Sequence, residues 1–209
     1  GCGQQMAQQL SDRCRHCEPR DGVGCEYYAL QQEGHGWLAL FADCTGHGIP
    51  GAFVTVLLHA EVERALQQNQ RTPSALLQAL NRHIKQTLGQ LNASQQTSLS
   101  NDGCDAIALR LETASHQLSW ASARMHAVLQ PVQGEAAALQ ADRVGVGHTD
   151  TPHDYCWPQQ QRTLQPGDVL LVMSDGVTDQ PGGARQIMFG KKRIQTVIAQ
   201  HKTLPMAEL

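Results

Sequence analysis

The sequence predicts an α+β fold, antiparallel sheets covered by helices, and three observations predict it. Short apolar runs recur at close spacing with polar turns between them, the mark of antiparallel strands. Two amphipathic stretches follow one another directly in the first half. The order β-β-α-α-β-β-β…β-α offers too few alternating βα units for a doubly wound parallel sheet.

Residues 1–17 are polar and Gln-rich, and read as a lead-in or the stub of a linker; the domain itself is expected over 18–209. Glu26-Tyr-Tyr-Ala-Leu30 and Trp37-Leu-Ala-Leu-Phe-Ala42 are β-compatible runs, with Gln31–Gly36 as the loop of a hairpin. Pro50 suits a first helical position, and Phe53, Val56, Leu57, Ala60 and Val62 give the apolar pattern of a helix running towards Gln68. Thr72-Pro73 is a second start, Thr as cap and Pro in the first turn, with Leu76, Leu77, Leu80 and Ile84 as the stripe. Leu91 to Asn101 is polar and loop-like. Ala106–Leu111, Gln117–Ser122 and His126–Gln130 then read as an antiparallel meander. Gln165-Pro-Gly-Asp168 turns into a buried strand, Val169 to Ser174. Lys191 to Gln200 closes as a helix with Ile194, Val197 and Ile198 inward. There is no internal repeat.

Composition narrows the function. The 209 residues are enough for a real core, and 41% are apolar, close to the globular norm. A net charge of -3 gives no field for nucleic acid, and no Lys/Arg run argues for a membrane surface. No apolar run is long enough to span a bilayer, and the N-terminal residues contain no h-region, so a cytoplasmic protein is expected. The seven cysteines are odd in number and irregularly placed. Cys14-Arg-His-Cys17 has CxxC spacing but no second pair follows, and reduced thiols are the simpler reading. The histidines His16, His35, His83, His116, His148 and His153 are scattered without paired spacing and read as surface residues.

Two aspartates carry the chemistry. Asp43 ends an apolar strand and opens the turn Cys44-Thr45-Gly46-His47-Gly48. A carboxylate at a strand end, beside approachable main-chain carbonyls, suits a hard cation such as Mg²⁺ or Mn²⁺; an Asp-initiated turn capping the next helix is the plain alternative. Asp175-Gly176 repeats the arrangement after Val169–Ser174. Glu26 is a third carboxylate on the adjacent strand. Asp105 and Asp179 fit ordinary turns as well as they fit a metal or phosphate contact, and Lys191, Lys192 and Arg193 fit a solvated helix start. Cys25 and Cys44 flank proposed ligands, but hard cations choose oxygen, so they read as small buried residues.

Taken together, the blocks resemble the SpoIIE-like branch of the PPM metal-dependent serine/threonine protein phosphatases. They are Glu18–Tyr28, Ala42–Phe53, Asp102–Leu109, Trp120–Met125, Gln165–Asp168, Ser174–Asp179 and Phe189–Arg193, in family order across nearly everything after residue 17. The resemblance implies an α-β-β-α sandwich of two antiparallel sheets flanked by helices, with two Mn²⁺ or Mg²⁺ ions. It makes Asp43 the bridging carboxylate, the main-chain carbonyl of Cys44 a ligand to one metal and Asp175 a ligand to the other. Glu26 stands where the family has Asp, and its extra methylene displaces the carboxylate by about an ångström. Arg20 is a phosphate-contact candidate. His47 either orders the turn or protonates the leaving alkoxide. The family also closes with a strand bearing an Asp-Asp pair, and the residues through Met206-Ala-Glu-Leu209 contain none, so that strand and its acid are expected to be absent.

The implied reaction is hydrolysis of phosphoserine or phosphothreonine by water, with no phosphoenzyme. By resemblance the substrate is a regulatory protein of the anti-sigma-antagonist (STAS) kind in bacterial signalling, with an upstream sensor or receiver domain in the full-length protein. The alternative is a catalytically weakened binding module that holds its partner without turnover. The chain has no P-loop, which disfavours a nucleotide-binding reading.

Overall fold

The computed structural model describes residues 25–46, 49–67, 72–91, 101–182, 186–201 and 204. Arg20, His47, the 1–17 lead-in, the Cys14–Cys17 pair and the last five residues lie outside them.

The first hairpin pairs β1 (Glu26–Glu33) with β2 (Gly36–Cys44) in antiparallel register from Glu26↔Asp43 to Glu33↔Gly36. The loop expected over Gln31–Gly36 is therefore only Gly34 and His35. Polar Gln31 and Gln32 remain in the ladder because β1 lies at the sheet's edge, where a strand need not be apolar. β3 (Cys104–Glu112) pairs with β2, β4 (Gln117–Ala123) with β3, and β7 (Gln160–Thr163) completes the five-stranded order β1-β2-β3-β4-β7.

Successive residues of these strands face opposite sides. Leu38, Leu40, Ala42 and Cys44 of β2, with Cys104, Ala106 and Ala108 of β3 and Ala121 and Ala123 of β4, share one core with the first two helices. Small residues on β3 and β4 let those helices lie close. Helix α1 (Ile49–Gln67) contributes Val54, Leu58, Val62 and Ala65. The stripe expected there is only partly inward: Leu57 and Val62 are buried, but Phe53 is 52% and Val56 62% exposed, and Ala60 is exposed too. Apolar residues surround the first turns of this helix, so spacing alone did not select a face. The set 54, 58, 62, 65 packs on the sheet. Helix α2 (Pro73–Thr87) is as expected: Thr72 accepts a hydrogen bond from the Ala75 N–H, and Leu76, Leu77, Leu80 and Ile84 are buried. Each such burial is worth about 1.5–3 kcal/mol relative to exposure.

The inner face of α2 also carries polar groups that grip the segment around His148. Asn81 Nδ2 donates to the carbonyls of Pro152 and His153, and its Oδ1 accepts from the Gly147 N–H. Lys85 Nζ donates to the His148 carbonyl at 2.7 Å, and Gln90, just past the helix, donates from Nε2 to the Gly147 carbonyl. Burial lowers the Lys85 pKa, with the charge of Asp150 opposing.

The meander expected after β3 stops at β4. β5 (His126–Gln130) belongs to another sheet, pairing with β6 (Ala137–Ala138) and antiparallel with β8 (Val169–Met173) in the order β6-β5-β8. The break falls at Arg124, whose φ of 63° turns the chain out of the ladder. β8 is half-buried rather than buried, only Met173 being fully covered, because it lies at an edge. Helix α3 (Asp175–Thr178), the short pair β9 (Pro181–Gly182) and β10 (Ile187–Met188), and helix α4 (Lys191–His201) follow. Ile194 and Ile198 of α4 pack with Val128 and Met173, with Val197 half-buried beside them. Contacts divide the chain into two units. Among the described residues, one comprises those from Cys25 to Met125 with Gln140–Arg162; the other comprises His126–Leu139 and those from Thr163. Both sheets are antiparallel and helices accompany them, as the α+β reading requires. No helix among the described residues is long and apolar enough to cross a membrane.

Candidate metal centre

Register places three acids in one line. Glu26 is the cross-strand partner of Asp43, and Asp43 is the partner of Asp105. Directly opposed residues present their side chains on the same face, here the face turned away from α1 and α2. Three carboxylates of β1, β2 and β3 therefore stand side by side at the end of the sheet where the glycine turn begins. Like charges so aligned repel, a cost that a bound cation removes. Glu26 is exposed, and Asp43 and Asp105 are half-buried.

Backbone bonds fix the turn that follows Asp43. The Cys44 N–H donates to the Cys25 carbonyl at 3.0 Å, and the Thr45 N–H to the Gly103 carbonyl at 2.9 Å. The Thr45 hydroxyl accepts from the Gly103 N–H at 2.8 Å and lies 3.1 Å from the Gly103 carbonyl. Thr45 thus binds the turn to the residue before β3. Gly103 is held in turn by its neighbours: Gln90 brackets Asp102 through both its Oε1 and its Nε2. A Cβ on Gly103 would lie 2.3 Å from the Val146 carbonyl oxygen and 2.9 Å from the His148 ring. Only glycine fits there.

One thiol contacts the central carboxylate directly. Cys25 Sγ donates to Asp43 Oδ1 at 3.6 Å, and burial, then the Asp43 charge, pushes its pKa up to about 11. Cys44 and Cys104 are raised further, burial first. Hard cations choose oxygen over sulfur, which leaves these thiols as small packed groups in the proposed site.

Asp175 occupies a different setting. It begins α3, is exposed, and its carbonyl accepts from the Asp179 N–H at 2.8 Å and the Thr178 hydroxyl at 2.9 Å. Thr178 also donates to Asp179 Oδ1, which gives Asp179 a local role in this turn. His126 lies close enough to feel both aspartates; burial and Lys191 nonetheless lower its pKa.

The oxygen-rich donor set at Asp43 fits Mg²⁺ or Mn²⁺ in kind. Among the described residues no three His, Cys, Asp or Glu side chains already converge in ligating geometry. Sequence reading missed Thr45, Gly103 and His148. His148, expected at the surface, is only 5% exposed, packed against Gly103 and Gly145. Gly145, three residues before it, was the available signal: a ring enclosed by backbone needs neighbours without side chains.

Antiparallel sheets accompanied by helices are the fold class of PP2C-type domains, and comparison with known proteins agrees. The family model of Stage II sporulation protein E (SpoIIE) matches residues 33–209, and the chain belongs to that family. The chain is similar to the SiaA-PP2C domain of Pseudomonas aeruginosa, with TM-score 0.80 and 25% identity over 99% of this chain and 78% of that one. It is also similar in fold to the RsbU and RsbW domains of Rv1364c from Mycobacterium tuberculosis, with TM-score 0.69 and 17% identity over 88% of this chain and 48% of that one. RsbX, solved in complex with magnesium, gives TM-score 0.56 and 13% identity over 74% of this chain and 68% of that one. No curated protein sequence matches the chain.

Proposed function

We propose that this PP2C-type domain hydrolyses phosphoserine or phosphothreonine on a regulatory protein of the STAS kind in bacterial signalling, using two Mn²⁺ or Mg²⁺ ions. The observation that carries this reading is the line Glu26–Asp43–Asp105 at the mouth of the glycine turn. Asp43, Glu26, the Cys44 carbonyl and Asp175 are the proposed oxygen ligands. When bound, paired divalent ions neutralise phosphate charge and activate a water for in-line attack. The chain's own residues prepare for that. Cys25 orients the Asp43 carboxylate, Thr45 and Gly103 fix the loop, and His47 is the proposed proton source for the leaving alkoxide. Arg20 is retained as a proposed phosphate contact, and an upstream sensor or receiver domain, in a cytoplasmic protein, as the proposed context.

The test is turnover of p-nitrophenyl phosphate and of a phosphoserine peptide with Mn²⁺, Mg²⁺ or EDTA. Metal-dependent release of phosphate is expected, and activity surviving thorough chelation would remove the dinuclear reading. Glu26 favours one second reading, a weakened domain that binds its partner without turnover, since the family's shorter acid is missing from the line. Metal binding without hydrolysis of either substrate would select it.

A further inference from the structure

We propose that Arg124 is a binding residue for the substrate's phosphoryl group, one that the sequence reading did not single out. The proposal rests on the phosphatase reading above and adds to it the group that receives the phosphate oxygens.

Arg124 directly follows β4 and bridges in parallel to Ala106, the residue after Asp105. Its Nη1 lies 3.9 Å from Asp105 Oδ1, so a guanidinium ends the line of three carboxylates. That separation exceeds a hydrogen bond, and the pair is a charge contact in which neither group is tied to the other by a proton. Arg124 is held there against its backbone preference. Its φ of 63° lies in the left-handed region, which residues other than glycine rarely adopt. The other described residues of that kind, His116 and Gln186, sit in turns. Strain at the end of a sheet, beside charged groups, is the pattern from which a functional role is inferred.

The neighbours aim the side chain. The Arg124 N–H donates to the Asp142 carbonyl at 2.9 Å, and Nε donates to the Arg143 carbonyl at 2.8 Å. With Nε committed, the planar head is fixed about its stem, and its Nη1 is turned to the Asp105 side. Gly145 completes the mount, because a Cβ there would lie 3.2 Å from Nη1 and 2.7 Å from the His148 ring. The side chain stays 38% exposed, so an incoming anion can reach it. A rigid guanidinium fork matches two phosphate oxygens, which an ammonium cannot do. Acids that attract cations and a fixed fork that attracts anions, side by side, suit a phosphomonoester bound together with its metals.

The experiment compares wild type, Arg124→Gln and Arg124→Lys, each checked for folding by circular dichroism. Three quantities are read: KM and kcat for p-nitrophenyl phosphate, inhibition by inorganic phosphate, and Mn²⁺ affinity by calorimetry. The expected result is a rise of about tenfold or more in both KM and the phosphate inhibition constant. Lys should recover only part of the loss, and Mn²⁺ affinity should stay within about twofold. Unchanged phosphate inhibition would overturn the proposal. Mn²⁺ affinity falling in parallel would also overturn it, making Arg124 a structural partner of the acids. Should the wild type show no turnover, the phosphatase reading fails by itself. Phosphate binding to the Mn²⁺-loaded chain by calorimetry, lost or kept in Arg124→Gln, then decides the role of Arg124.

Discussion

Two turns in this protein are written alike and built differently. Each takes an apolar strand to an aspartate, Asp43 at the end of β2 and Asp175 shortly after β8. Asp43 lies on an inner strand with paired neighbours on both sides, and bonds from Thr45 to Gly103 tie its turn to residues remote in sequence. Asp175 follows an edge strand, is exposed, and its carbonyl accepts from Thr178 and Asp179, within four positions of it. The first carboxylate is held by tertiary structure and the second by a local helical turn. In the proposed reading, in which both are metal ligands, the first kind of support fixes a ligand more firmly than the second.

The sharpest way to break this comparison is to neutralise each acid in turn. Asp43→Asn should lower kcat by at least about 100-fold, the scale on which removal of an electrostatic catalytic group acts. Its melting temperature should change little, since no core packing is lost. Asp175→Asn should also lose activity, but with a larger share of the loss recovered by raising Mn²⁺, as expected for the less rigid ligand. Equal recovery in the two variants would erase the distinction between the turns.

Thr45 tests the remote support directly. Thr45→Val removes the hydroxyl and leaves the buried Gly103 N–H without its acceptor, a loss of about 1–3 kcal/mol in stability. If the bond also positions Asp43 and Cys44, Mn²⁺ affinity should fall by about tenfold as well. Thr45→Ser, which keeps the hydroxyl, should restore both. A Ser variant as poor as Val would show that packing of the methyl group, not the bond, is what matters.

How much of this was legible in the sequence follows from the range of the interactions. Thr72 and the α2 stripe were read correctly because caps and helical spacing are local. The α1 face was misjudged because Phe53, Val56 and Leu57 fit more than one stripe, and only contact with the sheet selects between them. The end of the meander at Arg124 was invisible, since an arginine gives no sign of a positive φ. Asp43 and Glu26 were proposed from a strand-end pattern, and the register placed them opposite one another. Asp105 completes that line only through β3 pairing, which the sequence alone does not specify. His148 looked like one more polar-loop histidine because the groups that bury it, Gly103 and Asn81, are distant along the chain.

Glu26 sharpens the comparison at smaller amplitude. It faces Asp43 from the edge strand, exposed, with one methylene more than the family's aspartate. Glu26→Ala should raise the Mn²⁺ concentration giving half-maximal activity by about tenfold, and Glu26→Asp by less. A Glu26→Asp variant better than wild type would show a site strained by the longer acid, and one worse would show a site adjusted to it. Three coincident titration curves would remove Glu26 from the metal centre.

The smallest effect concerns pH and the histidine behind the Asp43 turn. Burial is the main cause that lowers the His148 pKa from its ordinary 6.5, and the charges of Arg124 and Lys85 act the same way. The Asn101 carbonyl, 3.4 Å from Nδ1, and Asp150 oppose them. In the folded chain the ring therefore binds a proton less readily than in the unfolded chain. Where the unfolded state binds more protons, stability rises with pH. The contribution is thus complete above 6.5 and is lost as pH falls from there through the lower folded value. His126 shifts in the same direction, so it adds to the slope and must be controlled. Melting temperatures between pH 7.5 and 5.5 should fall for wild type, less steeply for His148→Gln, and least for His148→Gln with His126→Gln. The slope is the readout, because His148→Gln also alters packing against Gly103 and Gly145 at every pH. A slope unchanged by His148→Gln would mean that this imidazole takes up its proton alike in both states, and that Gly103 is held by shape alone.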